Sequence, residues 1–538
     1  MALSYKKRML IHDQDLGRVE LKNIPLPQYM LNVNGTFTYS GRVLVTYSTK
    51  EDMDKKDYFN LVTLNHDGSD ICEVFSGQIE QLEKANGIRW MCFEDNKRVL
   101  LGDYVLEAYP NLDETSSTKL VKVEYPKELT ENPLIFCRWS EVIIAPDNTH
   151  MSWTTLTLHG AINYLGKLTK KEDKYLIEDI CVISSTKMSE KDKDNPGFDI
   201  PLPIRGGEVK QFIWGGKALT MVGNGDSISE SVVQDLESED VIQITHTAGY
   251  EETTIFSFDE KLGVVMSPRF SPKTDMSILG LIPQPLSLPV RGKIINILYM
   301  YAVAGVRAFR PGNIGPVLID IEKSKTLKRA HKGVNLSDPE NKWVYYSPIS
   351  WHIDSTKAMW VEKTRIVQGP EMCRLRMLEL LDYKASPRVK IEKTPSCGQI
   401  PYAKPFEGSL DQDFHMDFPL KFKGKFSGYV ENKIVEEESP KYVAVYENFS
   451  DDGKTFYQGY ISVITPSGLF VPGKSIFEAD LKVEGEHQGH MKLKLVFNRD
   501  SVHAPAMLSF EKDADGLAES RGFSSYDGIT LKVEDMLP

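Results

Sequence analysis

Residues 143–155 read IIAPDNTHMSWTT, which is an apolar run, a turn centred on Asp147 and a second apolar run. A polar turn with Asp and Asn between two apolar runs is typical of antiparallel strands joined by a tight connection. The pattern recurs along the chain, with turns near residues 40, 95, 147, 215, 259 and 354. Most intervals are near the roughly 40 to 50 residues of a propeller blade, and the last, of about 95 residues, predicts an insertion.

A second signal follows the turns, and its best copy is LVTLNHDGSDICEVFSG at residues 61–77. Asp-Gly between apolar strands is a strong β-hairpin signal. Each period therefore holds four short strands. Repetition of such units predicts an all-β protein with a β-propeller of six or seven blades, in which ring closure protects the strand edges.

These two segments resemble the TolB-like family of propeller repeats. The first is similar to the family's strand, Ser-Pro-Asp-Gly turn and apolar strand, and the second is similar to its outer hairpin. The resemblance extends over about residues 30 to 390 and implies a fold, not an activity. We expect the propeller to occupy residues 1–404.

The long interval contains a helical insertion at about residues 280–315. Its centre, Ile294 to Phe309, reads IINILYMYAVAGVRAF. Sixteen residues form a helix of about 24 Å, shorter than the roughly 30 Å hydrocarbon core, so we expect no membrane span. An apolar helix needs a partner surface. We expect it to cover one mouth of the propeller or to pack against the tail, with Tyr299 and Tyr301 offering hydroxyls to a ligand.

From residue 405 the pattern changes to a period of two, as in Phe477, Ala479, Leu481 and Val483. This alternation is typical of half-buried strands. It predicts a C-terminal all-β domain at 405–538, a β-sandwich or a barrel-like sheet. Alternatively, its first strands complete a seventh blade.

Charge and cysteine content limit the partners and the location. The 76 acidic residues exceed the 64 basic residues, and the net charge of −12 disfavours binding to nucleic acid. The six cysteines form no CxxC pair, and the N-terminus has no apolar segment typical of a secretory signal. We expect a cytoplasmic protein.

The standard catalytic motifs are absent from the sequence: there is no G-x-S-x-G, no HExxH, no P-loop and no dinucleotide fingerprint. Candidate residues therefore come from the inner strands, which converge on the central channel. Arg89, Arg138, Glu141 and Tyr299 are the candidates for substrate binding, since arginines clamp carboxylates.

Glu252, Tyr345 and His352 are the candidates for acid–base catalysis, with Glu252 the expected base because an apolar wall raises a carboxyl pKa. The alternative is that the Arg and Glu residues form structural ion pairs between neighbouring blades.

Three histidines of the tail, His415, His487 and His490, are candidate ligands for a divalent metal ion because imidazoles beside carboxylates bind zinc and manganese. The alternative is simple solvent exposure, since His490 shares a strand face with lysines. No organic cofactor is expected.

Two functions remain open at this point. The first is a lyase, hydrolase or isomerase that acts on a small organic molecule, acidic or sugar-derived, in the channel. The second is a non-catalytic interaction scaffold, because propellers serve both purposes.

Overall fold

The computed structural model describes the chain outside residues 1–7, 82–88, 134, 158–159, 186–188, 224–228, 248, 272–275, 284, 287, 304–306, 308–313, 341, 366–371, 409–417, 436–438, 467–470, 502–503, 505 and 537–538. The strands before the insertion are β1 (Met9–Asp13), β2 (Gly17–Asn23), β3 (Leu31–Phe37), β4 (Val43–Ser48), β5 (Tyr58–Leu64), β6 (Cys72–Gln78), β7 (Trp90–Cys92), β8 (Arg98–Leu101), β9 (Tyr104–Tyr109), β10 (Ser117–Glu124), β11 (Ile135–Ile144), β12 (His150–Thr157), β13 (Gly160–Lys171), β14 (Lys174–Val182), β15 (Ser189–Lys191), β16 (Asp199–Pro201), β17 (Glu208–Ile213), β18 (Ala218–Gly223), β19 (Glu230–Asp235), β20 (Val241–Gln243), β21 (Glu252–Phe256) and β22 (Leu262–Ser267).

The remaining elements of the propeller region follow the insertion or connect strands. The strands are β23 (Gly315–Asp320), β24 (Val334–Asn335), β25 (Trp343–Trp351), β26 (Lys357–Thr364), β27 (Cys373–Leu380) and β28 (Lys404–Pro405), and the helices are α1 (Lys127–Thr130), α2 (Leu288–Leu298) and α3 (Ile321–Leu327).

Within the described residues, the propeller strands form six four-stranded antiparallel units, which we number as blades. Blades one to five are β3–β6, β7–β10, β11–β14, β17–β20 and β21–β24. Blade six joins β25, β26 and β27 to β2 from the N-terminus, with Val19 opposite Leu380. This pairing closes the ring, because a strand from one end of the chain completes a blade from the other. The first strands of successive blades contact one another around the centre.

The Asp-centred turns share one backbone feature. Asn96, Asn148, Glu260 and Ser355 stand at corresponding positions, and all four have a left-handed backbone with φ between 53° and 61°. In each turn the Asp side chain accepts a hydrogen bond from a backbone N–H two residues later. The short Asp side chain therefore fixes the turn locally, which explains the repeated pattern in the sequence.

Apolar layers between neighbouring blades hold the ring together. Leu44 of blade one packs with Val99 of blade two, and Val45 of blade one packs with Met359 of blade six. Four further clusters join the other neighbouring pairs. A ring of blades that each bury both faces exposes few strand edges.

The tail forms one sheet. Its strands are β29 (Leu420–Lys423), β30 (Ser427–Val435), β31 (Lys441–Ser450), β32 (Thr455–Ile464), β33 (Gly473–Gly485), β34 (Gly489–Arg499), β35 (Met507–Leu508), β36 (Arg521–Tyr526) and β37 (Ile529–Lys532). The hairpin β15–β16, which leaves the propeller between blades three and four, extends this sheet to eleven strands by pairing with β29. The strands β29 and β30 pair within the tail sheet rather than in a seventh blade. The boundary between residues 404 and 405 stays a prediction.

The insertion lies between the propeller and the tail sheet. The helix α2 begins at Leu288, six residues before the predicted start, and contacts β31 and β32. A π-helical turn, Tyr299–Val303, follows it. The ring of Tyr301 lies 5.4 Å from that of Phe497, and its hydroxyl donates to the carbonyl of Met536 at 3.5 Å. The predicted packing of this helix against the tail is therefore confirmed, and Tyr301 faces the tail core.

The predicted fold class, an all-β propeller with a helical insertion and a C-terminal β-domain, is confirmed. Among the residues that the structure describes, no helix has the length and apolar character needed to span a membrane.

Candidate functional site

A cluster of charged side chains fills the centre of the ring. Lys210, on β17, places its Nζ 2.7 Å from Glu208 Oε2, 3.5 Å from Glu141 Oε1 and 3.5 Å from Glu252 Oε1. These carboxylates come from the first strands of blades three, four and five. The Lys210 side chain is only 6% exposed, so one buried ammonium contacts three carboxylates.

A second cation borders the same cluster. The Nη1 of Arg89 lies 3.9 Å from Glu141 Oε1, and its Nη2 donates to the carbonyl of Ser140. A third cation, Arg307, comes from the insertion, and its guanidinium stacks over the ring of Tyr346 at 4.1 Å. Arg307 is close enough to lower the pKa of Glu252 electrostatically. Cations from blade two and from the insertion thus surround carboxylates from blades three to five.

Tyrosine hydroxyls complete the site. Tyr345 on β25 and Tyr250 before β21 are both buried, and the ring of Tyr250 lies 6.3 Å from that of Tyr299 on the insertion. Burial raises the pKa of Tyr299 to about 12 and also raises the pKa of Tyr345, an effect that the carboxylate of Glu252 reinforces. These phenols therefore stay protonated near neutral pH and act as hydrogen-bond donors.

Several buried polar atoms of this site have no hydrogen-bond partner among the described residues. They include Glu252 Oε2, the hydroxyl of Tyr345 and the Nε atoms of Arg89 and Arg307. An unpaired buried polar atom costs roughly 1–3 kcal/mol, so such atoms are expected where a ligand or water completes the bonding.

The carboxyls of Glu252 and Glu208 differ in pKa. Burial raises the pKa of Glu252, and Lys210 only partly offsets this effect. For Glu208 the same burial is outweighed by Lys210, which lowers the pKa. Burial disfavours the ammonium of Lys210, but the surrounding carboxylates raise its pKa overall. Of Glu208 and Glu252, Glu252 is thus the group that takes up a proton more readily.

The structure brings together five of the residues selected from the sequence: Arg89, Glu141, Glu252, Tyr299 and Tyr345. Glu141 pairs with Arg89 and Lys210, and Arg138, its neighbour along the chain, pairs with Asp103 instead.

Two other selected residues lie elsewhere. The guanidinium of Arg138 points into the interface between blades two and three, where both its Nη atoms donate to Asp103 at 2.9 and 3.0 Å. His352 lies in the turn of blade six, with its Nδ1 2.9 Å from Asp354 Oδ1 and its ring 5.2 Å from that of Phe37. Each already has a carboxylate partner, and we withdraw both from the candidate site.

Two of the three tail histidines selected from the sequence lie within the described residues. His487 pairs with Asp527 at 2.7 Å, and His490 pairs with Asp480 at 2.7 Å, so each ring bonds to a different carboxylate. His415 lies outside the described residues. Within the described part of the chain, no group of three or more His, Cys, Asp or Glu side chains is arranged to hold a metal ion.

Sequence reasoning missed the two residues at the centre of the cluster, Glu208 and Lys210. The signal was available, because the strand reads EVKQFI and alternate residues of a strand share one face. Val209, between them, is fully buried in the layer between blades. A Glu and a Lys two residues apart on an inner strand therefore indicated a charged pair in the channel.

Comparisons with known proteins agree with this architecture and add no activity. No protein-family model matches the sequence, and no curated protein matches it. A TolB-type protein from Agrobacterium tumefaciens is 14% identical over 62% of this chain and 94% of its own, with a TM-score of 0.32. An oligogalacturonate lyase from Vibrio parahaemolyticus is 10% identical over 69% and 96%, with a TM-score of 0.35.

Prolyl oligopeptidase B from Galerina marginata is 10% identical over 80% of this chain and 52% of its own, with a TM-score of 0.28. The resemblance of this chain to TolB-like β-propellers is one of fold.

Proposed function

We propose that this protein is a propeller enzyme that binds a small carboxylate-bearing, hydroxylated molecule at the centre of the channel and acts on it by acid–base chemistry. The observation that carries the proposal is the pair of unpartnered buried atoms, Glu252 Oε2 and the Tyr345 hydroxyl, beside the buried ammonium of Lys210.

The charge balance favours an anionic ligand. Three cations, Arg89, Lys210 and Arg307, surround the carboxylates. When Glu252 accepts the proton of the ligand, only Glu141 and Glu208 oppose them, so one positive charge offsets the negative charge that develops on the ligand. Arginine is well suited to binding a ligand carboxylate in a bidentate manner.

Each side chain has a separate role in such a reaction. Arg89 and Lys210 hold the ligand carboxylate. Glu252, whose pKa is raised by burial, removes a proton from the carbon next to that carboxylate. Tyr345 stays protonated and donates a hydrogen bond to a ligand oxygen. Lyase and isomerase reactions both begin with such a proton abstraction.

We also propose a cytoplasmic location. All six cysteines lie in the described residues and none of them forms a disulfide, which is typical of a reducing compartment.

The test separates binding from chemistry, with D-galacturonate as the acidic sugar probe and D-galactose as its neutral counterpart. Calorimetry should detect binding of galacturonate and not of galactose. Proton NMR in D₂O should show loss of the signal of the hydrogen on C5, next to the carboxylate, because a deuteron replaces the proton that Glu252 removes.

Three variants give the decisive comparison. Glu252→Gln should abolish exchange and bind galacturonate within about 3-fold of the wild type, whereas Arg89→Met should weaken binding by tenfold or more. Glu239 is an exposed glutamate in an ion pair with Arg205, and Glu239→Gln is the matched control. It should change neither the proton exchange nor the binding of galacturonate. Absence of binding by the wild type, or exchange that persists in Glu252→Gln, would overturn the proposal.

A further inference from the structure

One end of the channel is crossed by an extended segment, residues 383–394, which we call the strap. It follows blade six and has no helix or strand. Its backbone N–H groups donate to the carbonyls of Phe258 and Gly215, at 3.0 and 2.9 Å. Thr394 N donates to Asp147 Oδ2 at 3.1 Å. The strap therefore lies across the turns that follow the first strands of blades three, four and five.

The side chain of Arg388 anchors the strap in a socket formed by three blades. Its guanidinium donates from both Nη atoms to the carboxylate of Glu94 on blade two, with one contact at 3.1 Å. It also lies over the ring of Phe258 at 4.7 Å and near the ring of Tyr39 at 5.8 Å. A buried carboxylate in bidentate contact, flanked by aromatic faces, has the chemistry that recognises a guanidinium.

A cavity of about 110 Å³ lies beneath the strap, beside this socket. Apolar side chains supply much of its lining, including Met91, Ile143 and Phe212 from the blades and Ile391 from the strap itself. Because a water molecule needs only about 10–15 Å³ by this measure, the space is large enough for a bigger apolar side chain. The strap fills the socket fully and the adjoining cavity only partly.

We propose that this mouth is a binding site for an extended segment of a partner protein that carries an arginine followed by an apolar residue, and that the strap occupies the site in cis. The backbone of the strap donates four hydrogen bonds to the blades, two to carbonyls and two to the side chains of Asp259 and Asp147, and Glu392 pairs with Lys217 at 2.7 Å. Most of its residues from Ser386 to Lys393 are exposed. An incoming segment of the same chemistry replaces these contacts one for one and adds an apolar side chain to the cavity. This mode of recognition uses main-chain bonds for affinity and side-chain pockets for specificity.

The inference does not depend on the proposed acid–base activity, since the arginine socket is formed by Glu94, Tyr39 and Phe258, although Lys210 of the charged cluster also lines the adjoining cavity. It gives the interaction-scaffold hypothesis a specific surface.

The test uses a fluorescent peptide of the strap sequence, YKASPRVKIEKT, and measures anisotropy with the full-length protein. In Arg388→Ala the socket is vacated, so this variant should bind the peptide at least tenfold more tightly than the wild type does. A peptide with Lys in place of its Arg should bind at least tenfold more weakly. Adding Glu94→Gln to the variant should remove binding.

Arg205→Ala is the matched control, because Arg205 also pairs with a glutamate and lies over a tyrosine ring at 4.6 Å, away from the socket. It should bind the peptide no better than the wild type. If Arg388→Ala does not fold, Arg388→Lys replaces it, and the arginine peptide should again bind more tightly than the lysine peptide. Equal binding of the two peptides, or no binding at 1 mM, would refute the inference.

Discussion

Replacing Lys210 with Met removes the ammonium that contacts all three channel carboxylates. Lys210 is 6% exposed, and its Nζ lies within 3.5 Å of Glu141, Glu208 and Glu252. Removing one partner of a buried ion pair costs about 3–5 kcal/mol because the remaining charge stays buried without compensation. We expect Lys210→Met to lose about that much free energy of unfolding. With a urea slope of roughly 3 kcal/mol per molar, the midpoint should fall by about 1–2 M.

The loss should depend on pH in one direction. The raised pKa of Lys210 means that its contribution is complete below the unfolded value, about 10.4, and disappears only as pH rises through the folded value. In the variant the carboxyls gain protons more readily, so the destabilisation should shrink from pH 8 to pH 4. Lys325→Met is the control, since Lys325 pairs with an exposed Glu322 at 2.9 Å and should cost less than about 1 kcal/mol. Equal midpoints for the two variants would refute the electrostatic account of the cluster.

Three other changes test the packing and the buried charges. Burial, reinforced by the negative charge of Glu251, raises the pKa of Glu230 in the folded protein. Its contribution to stability is therefore complete below the unfolded pKa of about 4.3 and is lost as pH rises through the folded pKa. Thermal melts should therefore show Glu230→Gln more stable than the wild type at pH 8 and similar at pH 4, and a wild-type pH profile in this variant would contradict that. Arg138→Met removes the buried guanidinium that pairs with Asp103 and should lower the free energy of unfolding by about 3–5 kcal/mol in urea; a loss under 1 kcal/mol would show that the pair contributes little. Phe477→Ala, fully buried in the tail sheet, should cost about 3–5 kcal/mol in the same assay, and an unchanged midpoint would mean that the tail core tolerates the cavity.

Local features made much of the fold predictable. The Asp-centred turns depend on one side chain and its neighbouring backbone, so they stand out in a single sequence. The closure of blade six by β2 cannot be recognised in a single sequence, because Val19 and Leu380 are far apart along the chain and no local pattern pairs them. The strap has no periodic pattern, so its path across the channel mouth could not be predicted from the sequence either.

The candidate site was predicted in part, and Arg138 shows why. A regular strand places alternate residues on one face, and Arg89 and Arg138 both precede a turn. The pairing of β11 with β12 shifts register between Cys137 and Glu141, which indicates a β-bulge or a similar irregularity. Such an irregularity changes which side chains face the channel, and it cannot be read from residue types alone. Glu141, after the irregularity, reaches the channel, whereas Arg138 turns into the layer between blades.

A crystal structure of the protein soaked with D-galacturonate would test the central claim most directly. The account predicts density at the centre of the ring, with the ligand carboxylate bonded to Arg89 or Lys210 and a ligand oxygen within hydrogen-bond distance of Glu252 Oε2 or the Tyr345 hydroxyl. Density only on the outer surface, or a channel with no ligand at saturating concentration, would contradict it.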